Sequence, residues 1–170
     1  AGSGGQDFDA LLDDTPHPSF PGGWKNALGG SEDSGAILVG AGAPPDGKYG
    51  PPRSRLDFSN FGTRIDCQGW GRSVVTCGYG DDYKDASDPD DEDYWYSRTF
   101  SGTSSASPIV AGTIACLSGI AKAHGRVLRP MAVREALRKT GSLQQSSPSS
   151  PVSQRIGNLP GLAAALPVTE

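Results

Sequence analysis

Phe100-Ser101-Gly102-Thr103-Ser104-Ser105-Ala106-Ser107-Pro108-Ile109-Val110-Ala111-Gly112 is the stretch on which the reading of this chain turns. Hydroxyl side chains crowd its first half, and small or apolar ones follow. Apolar residues recur at Ala106, Val110, Ile114, Leu117 and Ile120, spaced four, four, three and three, which predicts a helix from about Thr103. Gly125 supplies a stop, with Lys122 and His124 in the last turn, where the helix dipole favours cations. Ala111, Gly112, Ala115 and Gly119 keep the other faces small, so the helix is expected to lie close against a sheet, with Cys116 in the core. The first N–H groups of such a helix lack intrahelical partners and, with the dipole, favour negative charge. A serine in that first turn stands where its own N–H can stabilise a developing oxyanion. Gly102 has no Cβ to block an approaching substrate backbone. The plainer alternative is that Thr103, Ser104, Ser105 and Ser107 are helix-capping residues, each worth about 0.5–2 kcal/mol. On residue types alone the capping reading leads.

The order of the residues reverses that preference. Gly102-Thr103-Ser104-Ser105-Ala106-Ser107-Pro108-x-Val110-Ala111-Gly112 resembles the nucleophile motif of the subtilisin-like serine peptidases, including the proline inside the helix. The resemblance implies an α/β fold of three layers, a mostly parallel sheet with helices on both faces. Residues 1–170 would be the C-terminal part of a single peptidase domain. It implies Ser104 as the nucleophile, the Ser104 N–H as one oxyanion donor, and Gly102 and Thr103 at the substrate approach. Ser105 and Ser107 then pack or cap. Ala1-Gly2-Ser3-Gly4 resembles the family's Ala-Gly-Asn-Gly turn, whose Asn side chain donates to the oxyanion. Ser3 stands in that place, with a hydroxyl shorter than a carboxamide. The run at 36–41, Leu56-Asp57-Phe58-Ser59-Asn60-Phe61-Gly62 and the segment from Pro130 to Gly141 resemble the family's strand, F-S-x-x-G segment and following helix. Gln68-Gly69-Trp70-Gly71 departs from the usual Ala-Pro-Gly and implies a different local loop shape.

The family's triad runs Asp, His, Ser along the chain. No His-Gly-Thr occurs here, and Asp33-Ser34-Gly35 follows Gly-Gly-Ser-Glu with no apolar strand to present it. His17 lies in a Pro-His-Pro loop and is the lesser candidate for a base. His124 is twenty residues beyond Ser104 on one helix, about 30 Å away at 1.5 Å per residue. The resemblance therefore implies an upstream segment of the same protein carrying the Asp and His, a polypeptide substrate, no cofactor for the chemistry, and secretion. The competing reading is a catalytically inactive pseudo-peptidase or a binding module. The missing Asp and His and the serine at position 3 favour it.

The 170 residues suit one domain. No run approaches about 18 consecutive apolar residues, so no membrane-spanning helix is expected. A net charge of −4 and a pI near 5.1 argue against nucleic acid and anionic membranes as partners. The charge is uneven: residues 81–93 carry −7 and the rest +3. The acidic stretch, 81–98 with its aromatics, reads as a loop insertion that Tyr94, Trp95 and Tyr96 pin back onto the domain. Its carboxylates make Asp90, Asp91 and Asp93 candidate ligands for structural calcium. A solvated, self-repelling loop is the preferred reading, and the Gly-x5-Glu of an EF-hand is absent. Strands are expected at 36–41, after Phe58, Phe61 and Ile65, and at Ser73-Val74-Val75-Thr76-Cys77, with a tight reversal at Gly69-Trp70-Gly71. Cys67 and Cys77 would flank that hairpin, as a bridge or as free thiols. A second helix starts at Pro130 and ends by Gly141. Residues 1–35 read as loop, 142–154 as a mobile low-complexity linker, and 155–170 as adding one short helical turn.

Overall fold

The computed structural model describes residues 1–10 and 33–166, so His17 lies outside the described residues. β1 (Val39–Gly42) and β2 (Cys67–Trp70) pair in parallel, with Val39 opposite Cys67 and Gly42 opposite Trp70. β3 (Val74–Cys77) and β4 (Tyr96–Phe100) make a separate antiparallel ribbon, its register broken between Val74 and Thr76. α1 (Thr103–Ala123) and α2 (Pro130–Lys139) follow, then the short α3 (Leu162–Ala165).

The β1 run is small and apolar because it is covered on both sides, and all four of its residues are buried. α1 crosses both β1 and β2. They come close at Gly69, where a Cβ would lie 2.4 Å from the Ala106 carbonyl oxygen. Only a glycine in β2 lets the first turns of α1 settle there. Val39, Ala41, Cys67, Ala106, Val110, Val133 and Leu137 form one apolar cluster that draws in both α1 and α2. Full burial of a side chain such as Leu137 is worth about 1.5–3 kcal/mol. Leu38, Ile65 and Ile156 form a second cluster, with Ala1, Phe8 and Phe61 against it. Both long helices therefore feed the same cluster, and Ile156 rather than a helix packs at Gly40 of β1. The α/β composition holds. Among the described residues the sheet is a parallel pair plus a separate ribbon.

Several expectations are corrected. Gly69 and Trp70 belong to β2, and β3 pairs with β4, so there is no hairpin between Cys67 and Cys77. β2 pairs instead with β1, in parallel, and residues 43–66 make the crossover that such pairing needs. The stretch read as acidic loop ends in a strand, β4. Its aromatics fold the loop on itself rather than onto the domain. Trp95 Nε1 donates to Pro89 O at 3.2 Å, Lys84 Nζ lies 3.9 Å from the Trp95 ring centre, and Tyr94 and Tyr96 are exposed. Residues 142–154 are tied down despite their composition. Ser147 and Ser150 bond each other's backbones, Gln145 N donates to Arg53 O, and Arg55 Nε donates to Gln154 Oε1 at 3.0 Å. Along α1, Ala106, Val110 and Leu117 are buried as the spacing predicts, Ile114 and Ile120 are half-buried, and Ala121, off that spacing, is buried. Ala111, Gly112, Ala115, Cys116 and Gly119 are exposed, on the face turned from β1 and β2. By length and composition alone α1 is long and apolar enough to cross a membrane. Its buried stripe packs on β1 and β2, and its other side is uncovered among the described residues.

A buried ion cluster fixes α2. Asp66, fully buried just before β2, accepts from Leu38 N (2.8 Å), Arg64 (2.8 Å), Arg134 (3.0 Å) and Arg138 (2.6 Å). Arg64 and Arg134 also hold Asp33. Burial pushes the Asp66 carboxyl up, but the hydrogen bonds from Arg138, Leu38 N and Arg134 and the charge of Arg64 outweigh it and hold it below its ordinary value.

All three cysteines are free. Burial, with Asp66 alongside, pushes the Cys67 thiol up to about 12. A neutral-pH disulfide reagent is expected to modify the exposed Cys77 and Cys116 within minutes and Cys67 only on unfolding, as counted by mass spectrometry. Rapid loss of all three thiols from folded protein would contradict this burial.

Candidate active site

β4 delivers the chain to Ser101 and Gly102 at the mouth of α1. Gly102 has φ 101° and ψ 175°, a left-handed conformation that a side chain would strain. Its N–H donates to Gly71 O at 3.0 Å, so the end of β2 anchors the turn. The unusual Gln68-Gly69-Trp70-Gly71 segment thus supplies both the close contact with α1 and this anchor. Ser105 Oγ, buried, reaches Gly102 O at 2.8 Å and Trp70 O at 3.1 Å. Ser107 Oγ donates back to Thr103 O at 3.0 Å.

Ser104 differs from its neighbours. It is exposed, and neither its hydroxyl nor its N–H has a hydrogen-bond partner among the described residues. Pro108, four residues on, has no N–H to give, so it cannot make the usual helical bond to the Ser104 carbonyl. The N-cap position belongs to Gly102, and no side chain caps from there. Capping therefore accounts for none of Ser104, whereas Ser105 and Ser107 are committed to packing bonds.

Ser3 meets this helix mouth from 100 positions away. Its Oγ accepts from Thr103 N at 3.4 Å and lies 3.3 Å from Thr103 Oγ1. Ser3, Gly102, Thr103 and Ser104 are therefore brought together. Ala1 N donates to Val39 O at 2.8 Å, placing this first turn beside β1. His124 caps the far end of α1, and its backbone N–H bonds the last carbonyls. Among the described residues no group of three or more His, Cys, Asp or Glu is placed to hold a metal. Asp91 is engaged locally, its Oδ1 accepting from Asp93 N at 3.0 Å to cap a short 3₁₀ turn.

Two neighbours of the site carry no strong signal in the sequence. Arg72 lies over the Phe58 ring at 5.0 Å, with a long 3.5 Å contact to Ser101 Oγ. Asn60, inside the Phe58-Ser59-Asn60-Phe61-Gly62 segment, bonds the turn at residues 1–6. A cavity of about 330 Å³ opens beside Ser101, lined by Tyr79, Asp81, Ser97, Thr99 and Phe100. A larger one, about 550 Å³, lies along α2 at Asp33, Arg134 and Arg138, and no candidate residue lines it.

Solved structures share this fold. The patellamide maturation protease PatA matches with a TM-score of 0.56 at 24% identity, over 80% of this chain and 43% of that one. A lanthipeptide protease matches with a TM-score of 0.59 at 21% identity, over 100% of this chain and 49% of its own. The prenylagaramide maturation protease PagA matches with a TM-score of 0.56 at 21% identity, over 79% of this chain and 42% of its own. The fold is that of a subtilisin-like protease. At these identities the likeness speaks for the fold, and the chain spans less than half the length of these proteases. That coverage fits the C-terminal portion of such a domain. No family model and no curated protein matches the chain.

Proposed function

We propose that this chain carries the nucleophile and oxyanion half of a serine endopeptidase site, and that a segment outside it supplies the His base and its orienting Asp. The observation that carries the reading is the uncommitted Ser104 on the first turn of a 21-residue helix, next in sequence to Thr103, which the Ser3 hydroxyl contacts. In this reading Ser104 Oγ attacks the scissile carbonyl carbon while its proton passes to the imidazole. The negative oxygen that forms faces the Ser104 N–H and the Ser3 hydroxyl. Collapse breaks the C–N bond and the amine leaves with the proton; water then releases the acyl group by the same path. The substrate is a polypeptide, and the protein-side chemistry needs no cofactor.

The surface supports a partner segment. The outer side of α1 is uncharged and uncovered at Ala111, Gly112, Ala115 and Gly119. A further part of the same domain would bury it. The rival reading, an inactive binding module, draws on the described histidine, His124, being at the far end of α1.

A fluorophosphonate probe separates the two. It is expected to label Ser104 when the chain is joined to its preceding segment, with fluoride leaving as the O–P bond forms, and to label the isolated chain at least about 100-fold more slowly. Absence of labelling in the joined protein would establish the binding module instead.

A further inference from the structure

We propose that Asn60 is the positioning residue that seats the Ser3 hydroxyl at the mouth of α1. The inference rests on the reading of Ser3 as an oxyanion donor. Residues 1–6 lie in no helix or strand that could locate Ser3, and Gly2 and Gly5 take positive φ there. Backbone bonds hold the ends of this turn, from Ala1 N to Val39 O, Gly5 N to Phe58 O and Phe61 N to Gln6 O, and Asn60 is the side chain that ties the turn on both sides of position 3. Asn60 Oδ1 accepts from Gly4 N at 3.1 Å and Gln6 N at 2.9 Å, its Nδ2 donates to Ala1 O at 2.9 Å, and its backbone N–H donates to Gly2 O at 3.2 Å. Asn60 is itself 8% exposed, so these bonds are shielded from water.

The chemistry demands a carboxamide. Two N–H groups need an acceptor and one carbonyl needs a donor, and within a side chain of this length only Asn offers both. The fit is close, since a Cβ at Gly2 would stand 3.0 Å from Asn60 Nδ2 and one at Gly4 3.3 Å from Oδ1. Asn60 does not reach Ser3 itself. The Ser3 hydroxyl contacts Thr103, so its place at the helix mouth is set by where the clamp holds its neighbours. A short hydroxyl reaching toward an oxyanion tolerates less misplacement than a longer amide would. Displacements near 1 Å at a reacting centre cost about 10²-fold in rate.

The test is a double-mutant cycle in the complete protease, with kcat and KM read separately and folding checked by thermal melt. Ser3→Ala is expected to lower kcat about 10²–10³-fold. Asn60→Ala is expected to lower kcat about 10–10²-fold with KM little changed, and Asn60→Asp, which keeps both acceptor bonds, by less. The double variant Ser3→Ala/Asn60→Ala is expected to be no slower than Ser3→Ala alone, because Asn60 acts through Ser3. An equal loss from Asn60→Ala in both backgrounds, or no loss from Asn60→Ala or Asn60→Asp in either, overturns the assignment of Asn60 and leaves the oxyanion reading standing. A Ser3→Ala variant at full kcat overturns the oxyanion reading and the proposal with it.

Discussion

Under the proposed function, Ser104→Ala is expected to lower peptide hydrolysis by the complete protein about 10⁶-fold, the scale at which losing a nucleophile leaves only the remaining site contacts. Its melting temperature should hardly move, because the Ser104 hydroxyl has no partner among the described residues. An exposed side chain of this kind is worth within about 0.5 kcal/mol of folding stability. Ser105→Ala should behave in the opposite way. Ser105 Oγ is buried and bonded to Gly102 O and Trp70 O. Its loss should cost about 1 kcal/mol of stability and far less activity than Ser104→Ala. Steady-state hydrolysis and calorimetry on the two variants together test the assignment. Undiminished turnover in Ser104→Ala would sink it, and so would a melting temperature that falls more in Ser104→Ala than in Ser105→Ala.

Asp66→Ala carries the largest expected effect on stability. The substitution leaves the Leu38 N–H without its acceptor and strips one carboxylate from Arg64, Arg134 and Arg138 in a buried site. Removing one partner of a buried ion cluster typically costs about 3–5 kcal/mol, against a total of about 5–15 kcal/mol for a domain. Asp66→Asn should cost less, since it keeps an acceptor for Leu38 N–H. The pH dependence has a definite sign. The folded Asp66 carboxyl is held below its ordinary value, so the stability it contributes is complete above the unfolded pKa, about 3.9. That stability is lost as pH falls through the folded value. The stability gap between wild type and Asp66→Asn, measured by denaturant melts, should therefore be constant near neutrality and close below about pH 4. A gap that persists unchanged to pH 2 would show that Asp66 does not act through its charge.

The helix α1 and its hydroxyl-rich mouth were legible because both are local. Ala106, Val110 and Leu117 fall on one face by spacing alone, and Gly102 and Pro108 mark the turn and the proline by position. The same spacing could not say which side of α1 is covered. Cys116 reads as core because it is small and apolar, and Ala115 as part of a face packed on a sheet, yet both are exposed. β4 hid inside an acidic stretch because its pairing partner, β3, lies about 20 residues earlier, and strand pairing is a long-range contact with weak local signal. Residues 142–154 looked mobile by composition. Composition does not show that Arg53 and Arg55, some 90 to 100 positions away, bind that segment.

What the sequence by itself determined is a run of hydroxyl side chains on the first turn of a long helix, followed by a second helix, in a chain of α/β type. Periodicity and residue order fix such features within one segment. Only the tertiary structure decided that Ser3 faces Thr103, that Asn60 clamps the turn around Ser3, and that Asp66 is the buried centre of three guanidinium groups. Each of these joins residues far apart along the chain. A hydroxyl, an amide or a carboxylate reads alike on a surface and in a site until packing removes the water around it.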